Sequence, residues 1–187
     1  MKTFAFLAGL SQRLSSLRRD QRGVSAVEFA MLLPLMVTLY LGAVEISQGV
    51  SINRKVTLTA RTVADLASQV SSITSTDMTN LLNASASVVS PFPVNQLKVT
   101  VSAVSIDNNN VPKVSWSCTL NGTKRAVGST VSLPTALNVA NSQLIWSEVS
   151  YNYVPTIGYV VTGALNLQDQ IYMRPRLSDT VTGPTSC

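Results

Sequence analysis

The basic stretch RRDQR ends at Gly23 and is followed by VSAVEF, so that an acid, Glu28, stands fifth after the glycine in an otherwise apolar run, with Phe29 beside it. Two pieces of chemistry suit this spacing. A carboxylate about one helical turn inside hydrocarbon costs a few kcal/mol to insert, so acids at such depth usually pair with a cation. Hydrolysis of the Gly23–Val24 bond would create one, because the freed amine of Val24 is protonated near neutral pH. In a bundle of such helices, Glu28 of one chain could pair with the Val24 amine of its neighbour and fix the axial register, which apolar contact alone does not do. A glycine before the scissile bond, having no Cβ, lets an extended backbone lie close against a peptidase. The alternative is an uncut signal anchor in which Gly23 and Glu28 have no such role.

Other chemistries have little to stand on. The chain has no histidine, which removes the commonest general base and metal ligand and every Ser/His/Asp or Cys/His arrangement. A hydrolase would have to draw on Asp107, Glu148, Asp169 and Asp179, which are scattered along the chain. Neither a catalytic set nor metal-ligand spacing is present, and no cofactor is implied. The formal charge of +5 also dissolves on inspection: Lys2, Arg13, Arg18, Arg19 and Arg22, less Asp20, all precede Gly23, and the rest carries 9 basic against 8 acidic side chains. That leaves no basic surface for a nucleic acid.

The element that must position Glu28 is the run VSAVEFAMLLPLMVTLYLGAVEISQGV, long enough as a helix to cross a hydrocarbon layer of about 30 Å. A cleaved secretory signal has a shorter apolar region with no acid inside it. The span is predicted over about residues 26–46, with the arginines before it holding the N-terminus in the cytoplasm and the C-terminal region periplasmic. A mild kink is expected at Pro34, and Glu45 is expected near the outer membrane boundary, where an exposed acid costs little. Beyond the span, Ile52, Val56, Ala60, Val63, Ala67 and Val70 recur at three- and four-residue steps, which predicts one helix over 24–70 whose second half is amphipathic. A break at Gly49 is the alternative.

The remainder, 71–187, is predicted to be an α+β domain: a small antiparallel sheet packed on the long helix. TDMTNLLNA suits a short helix capped by Ser75 or Thr76 and ending before Pro91. Leu97 to Ala103 alternates as a strand, DNNNVP turns the chain, and Val114, Trp116 and Cys118 alternate again. Leu144 to Tyr153 and Gln170 to Met173 supply two further strands, with Asn121 to Asn141 as an irregular loop. Trp116, Trp146, Tyr151, Tyr153 and Tyr159 suit strand core and rim better than a ligand box, and Arg174-Pro-Arg176 suits an exposed strand end. Cys118 and Cys187 fall on one side of the span; if that side is periplasmic they could close a disulfide loop, and otherwise they are two free thiols.

RRDQRG followed by VSAVEF resembles type IV pilin precursors, and RRDQRGVSAVEFAMLLPLMVTLYLGAVEIS with RKVTLTARTVADLAS narrows the likeness to TadE-like minor pseudopilins of tight-adherence pili. A weaker echo lies in SEVSYNYVPTIG, YMRPR and the terminal Cys187. The resemblance implies a leader, residues 1–23, cut by a prepilin peptidase between Gly23 and Val24, with Glu28, followed by Phe29, as the assembly acid. It further implies a non-enzymatic subunit of the bacterial inner membrane, working with other minor pseudopilins, the major pilin and the membrane assembly platform. Incorporation into the pilus would follow from the same resemblance. A periplasmic binding or adhesion module on an uncleaved anchor is the rival reading.

Overall fold

A computed structural model describes residues 23–155, 158 and 163–187. Two compact units emerge, one ending at Val44 and the other comprising Glu45–Cys187. Helix α1 (Val24–Ser68) runs 45 residues without interruption, passing through Gly49 rather than breaking there. It also continues through Pro34, where the Thr38 hydroxyl donates to the Pro34 carbonyl at 2.8 Å. Such back-bonding and the missing proline N–H are both compatible with a continuous helix when the freed groups are re-satisfied.

The second half of α1 buries one stripe, Ile52, Val56, Ala60, Val63 and Ala67, all with no accessible surface. Thr59 and Ala64 widen that stripe, and its small residues let the helix approach the sheet closely. Val70, predicted to extend the stripe, lies past the end of the helix and is exposed. Helix α2 (Ser75–Val89) starts one residue earlier than the sequence suggested: Thr74 is its cap, in a reciprocal capping box with Asp77. The Asp77 carboxyl is held below its ordinary pKa by the Thr74 side chain and then by the Thr74 backbone N–H. At the other end, the Lys55 ammonium donates to the carbonyls of Val88 (3.2 Å) and Ser90 (2.6 Å), a cation where the helix dipole is negative.

Strands β1 (Leu97–Ile106), β2 (Pro112–Leu120), β3 (Ser142–Tyr153) and β4 (Leu165–Met173) form one antiparallel sheet in the order β2-β1-β3-β4. The architecture is therefore α+β, as the alternation predicted. Leu97, Val99, Val101 and Ala103 face the core with Trp116, Cys118, Ile145, Val149, Tyr151 and Tyr153. On the opposite face the strict polar pattern fails at Ser102, which is buried in a hydroxyl pair with Ser117 at 2.9 Å. A register shift between Ala103 and Val104 leaves Ser115 as the extra residue of a bulge on β2. Asp107 closes the DNNNVP turn by accepting from the N–H groups of Asn109 and Val111, both at 2.9 Å. Tyr159 lies outside the described residues.

The C-terminal segment ties the domain together. The N–H of Arg176 donates to Ser68 at 2.9 Å and the N–H of Ile73 to Thr182 at 2.9 Å, so the tail pairs with the connection between the helices. Arg176, exposed just past the end of β4 as expected, also forms an ion pair with Asp65 at 2.5 Å. The Trp116 indole donates to the Val181 carbonyl at 2.9 Å, and Gly183 lies so close over its ring that a Cβ there would come within 2.1 Å. Finally Cys118 and Cys187 form a disulfide, with Cα atoms 5.4 Å apart.

Replacing Cys187 with Ser removes a cross-link across a sequence separation of 69 and is expected to cost about 4 kcal/mol through the chain entropy it releases. Urea unfolding of the full chain in detergent, followed by tryptophan fluorescence, should show a lowered midpoint. An unchanged midpoint would mean that Trp116, Arg176 and the helix connection hold the tail unaided.

Candidate functional site

The first candidate site is the start of α1. Between Val24 and Val44 the helix carries one charged side chain, Glu28. Val24, Val27, Phe29, Met31, Leu32, Leu33, Leu35, Met36, Val37, Leu39 and Tyr40 are all exposed. Their large side chains occur on every side of the helix, the pattern of a helix meant for lipid or for neighbouring apolar helices rather than for water. It is the one helix among the described residues long and apolar enough to cross a membrane, and only 11% of its most apolar window is buried.

Gly23 immediately precedes this helix, and a Cβ built there would meet nothing within 4 Å. Its φ is not in the left-handed region either. Among the described residues, neither packing nor backbone conformation demands a glycine at this position. Val24 and Glu28 are four residues apart on α1, one turn or about 6 Å along the axis. Glu28 is exposed, and among the described residues it has neither an ion pair nor a hydrogen bond. Phe29 follows it, 58% exposed. The structure therefore presents an acid on an apolar helix without a counter-charge from its own described residues.

Glu45 behaves differently from the expectation of an exposed boundary acid, since it is 2% exposed. Its backbone carbonyl accepts from the Tyr153 hydroxyl at 3.4 Å. The Tyr153 hydroxyl has its pKa raised, first by burial and then by the charge of Glu45. Tyr153 also lies against Gly49, where a side chain would meet the ring at 3.5 Å.

A second constellation, on the sheet face turned away from α1, had no motif to announce it. Arg125, in the loop after β2, donates through Nε and Nη2 to both carboxylate oxygens of Glu148 at 2.9 and 2.7 Å. Its guanidinium lies 3.9 Å over the Trp146 ring, which in turn stacks on Tyr172 at 5.3 Å. The Tyr172 hydroxyl pKa is raised by burial and secondarily by Glu148, with Arg125 opposing. The signal in sequence was weak, because Arg125 and Glu148 are 23 residues apart and a bidentate pair leaves no fixed spacing. The acids a hydrolase would need are engaged separately: Glu148 with Arg125, Asp107 with Lys113 at 3.7 Å, and Asp169 with the N–H of Gln170.

Residues 23–65 match the family described as TadE-like protein, the same family whose likeness the helix sequence carries, and one associated with tight-adherence pili. The matched stretch begins at Gly23 and ends three residues before α1 does, so it comprises the helix and omits the sheet. No curated protein and no solved structure matches the chain.

If the first half of α1 spans a bilayer, a cysteine placed at Val37 in membrane vesicles should resist a charged, membrane-impermeant maleimide, whereas one at the exposed Arg54 should react. The native cysteines are paired and do not interfere. Equal labelling at both positions would show that the apolar stretch is not in lipid.

Proposed function

We propose that this chain is a minor pseudopilin, a non-catalytic assembly subunit of a tight-adherence pilus, inserted once in the bacterial inner membrane with its sheet domain in the periplasm. A prepilin peptidase cuts it between Gly23 and Val24. The observation that carries this reading is Glu28, a carboxylate on a helix apolar all round, with no partner among the described residues and one turn from the residue that would become the N-terminus. The match of residues 23–65 to the TadE-like family supports it, as does a Gly23 that the fold itself does not need.

The mechanism follows from charge and order of events. Before cleavage the position of the Val24 amine is an uncharged amide, and Glu28 has no cation to meet. After cleavage each mature chain carries one ammonium and, four residues on, one carboxylate. Within one chain the helix fixes these about 6 Å apart along the axis. Between chains, sliding one helix against another brings the acid of one level with the amine of its neighbour. Pairing there offsets the desolvation of both groups, and a small displacement forfeits it. Processing thus turns an apolar helix with one costly acid into a subunit with a preferred register against other minor pseudopilins, the major pilin and the assembly platform.

Intact-mass measurement of membrane extracts is expected to find a mature chain beginning at Val24 in cells with the peptidase, and the full precursor in cells without it. Gly23→Phe should leave the precursor uncut in both. Finding Met1 retained in cells with a working peptidase would replace this reading with that of a binding module on a permanent anchor.

Glu28→Leu should insert and be processed normally but reduce pilus incorporation at least about tenfold, since the neighbour's amine then lies unpaired in lipid. Incorporation equal to wild type would remove the acid from the mechanism.

A further inference from the structure

The outer face of the sheet carries a concave groove of about 680 Å³ between the strands and the loop Gly122–Arg125. Its floor is two rungs of register partners across β1, β3 and β4: Lys98, Ser150 and Gln168, then Thr100, Glu148 and Gln170. Three strands at about 4.8 Å spacing make that floor about 10 Å wide, the length of two sugar rings. The wall is fixed rather than loose. The N–H of Arg125 donates to Ser117 at 3.0 Å while its guanidinium is held by Glu148 and Trp146. Gly122 fits close over Thr119, where a Cβ would come within 2.6 Å of the hydroxyl oxygen.

The charges in this groove do not balance. Arg125 and Glu148 cancel in their bidentate pair. Lys98 and Lys124 also line it, both exposed, and among the described residues neither ammonium has an ion pair or a hydrogen bond. Asp169 also lines it, level with Val149 and with its carboxylate accepting from the Gln170 N–H, which leaves three cations against two acids around the groove. Two free cations therefore stand over a floor of hydroxyls and amides, groups that both donate and accept.

We infer that this groove binds an anionic oligosaccharide, with Lys98 and Lys124 holding its carboxylates and the amides of Gln168 and Gln170 meeting its hydroxyls. The alternatives fit less well. A protein partner would want an apolar or aromatic anchor at the centre, but the one apolar residue lining the groove, Val149, is 2% exposed. A single-stranded nucleic acid would want free aromatic faces, whereas the Trp146 ring is covered by Arg125 and Tyr172. Two cations would also neutralise few phosphates. The site does not depend on whether the leader is removed.

The test uses the full chain in detergent micelles, titrated calorimetrically at low salt with an alginate hexasaccharide, whose every ring bears a carboxylate. Saturable binding is expected that weakens as salt is added. The double variant Lys98→Ala, Lys124→Ala should bind about tenfold more weakly, the loss of two modest charge-assisted contacts. Lys113→Ala, on the far side of the sheet's β2 turn, should bind as wild type. A neutral dextran of the same length should bind more weakly than alginate. The inference is overturned if alginate does not saturate, if the double variant binds unchanged, or if dextran or an oligothymidylate binds as tightly as alginate. Circular dichroism of the double variant confirms that any loss is not unfolding, since both lysines are exposed.

Discussion

A helix that leaves an apolar surrounding for an aqueous one must change which of its faces are covered without giving up its backbone hydrogen bonds. α1 carries both kinds of surface within one unbroken element, Val24–Ser68. Before Val44 its large side chains are exposed on all sides, and after Glu45 a single stripe from Ile52 to Ala67 is fully buried. The change is written in residue type. Leu, Met and Phe dominate the first half, while Val, Ala and Thr dominate the buried stripe of the second, where a strand must come close.

That domain is held at its far end by unusually concentrated tail contacts. Between Arg176 and Cys187 the chain pairs with the helix connection, forms an ion pair with Asp65, accepts from the Trp116 indole and closes the disulfide to Cys118. These reach the end of α1, the start of α2 and the β2 edge of the sheet. An edge strand with free N–H and C=O groups invites pairing with other chains. Near β2 the C-terminal segment crosses over Trp116 and the bridge between Lys113 and Thr130 occupies part of the edge, so this side of the sheet is partly closed.

The long helix, the four strands and the DNNNVP turn were legible because each rests on a local period or a local turn rule. Alternation placed the core face correctly in Leu97 to Ala103 and at Trp116 and Cys118, but not at Val114, which the bulge at Ser115 sets opposite Val104 and outside the main core. What local pattern could not supply was partnership between distant residues. Thr74 rather than Ser75 caps α2, but that was a local Thr-x-x-Asp spacing left unread, since Thr74 and Asp77 bond reciprocally three residues apart. Glu45 is covered because Tyr153, more than a hundred residues later, packs beside it. Arg125 is ordered although its loop looked irregular, because Glu148 and Trp146 lie on a strand it meets only after folding. For the proposed cleavage junction the case is different: its residues were legible, but the role proposed for them is chemistry done by other molecules, which no fold of this chain contains.

The boundary of the TadE-like match, 23–65, has a physical sense of its own. On the function proposed above, the helix residues would have to fit lipid, a peptidase and the helices of neighbouring subunits, so that each face meets a partner. A sheet presented to its surroundings is constrained mainly on the side that packs on α1, and there any apolar residue of suitable volume serves. Its outer face, where Lys98, Lys124 and the Arg125 loop lie, is free to be fitted to whatever it meets. A likeness confined to the helix is what that proposed mechanism with an individually fitted outer surface would produce, and it makes the outer face the place to look for what is particular to this chain.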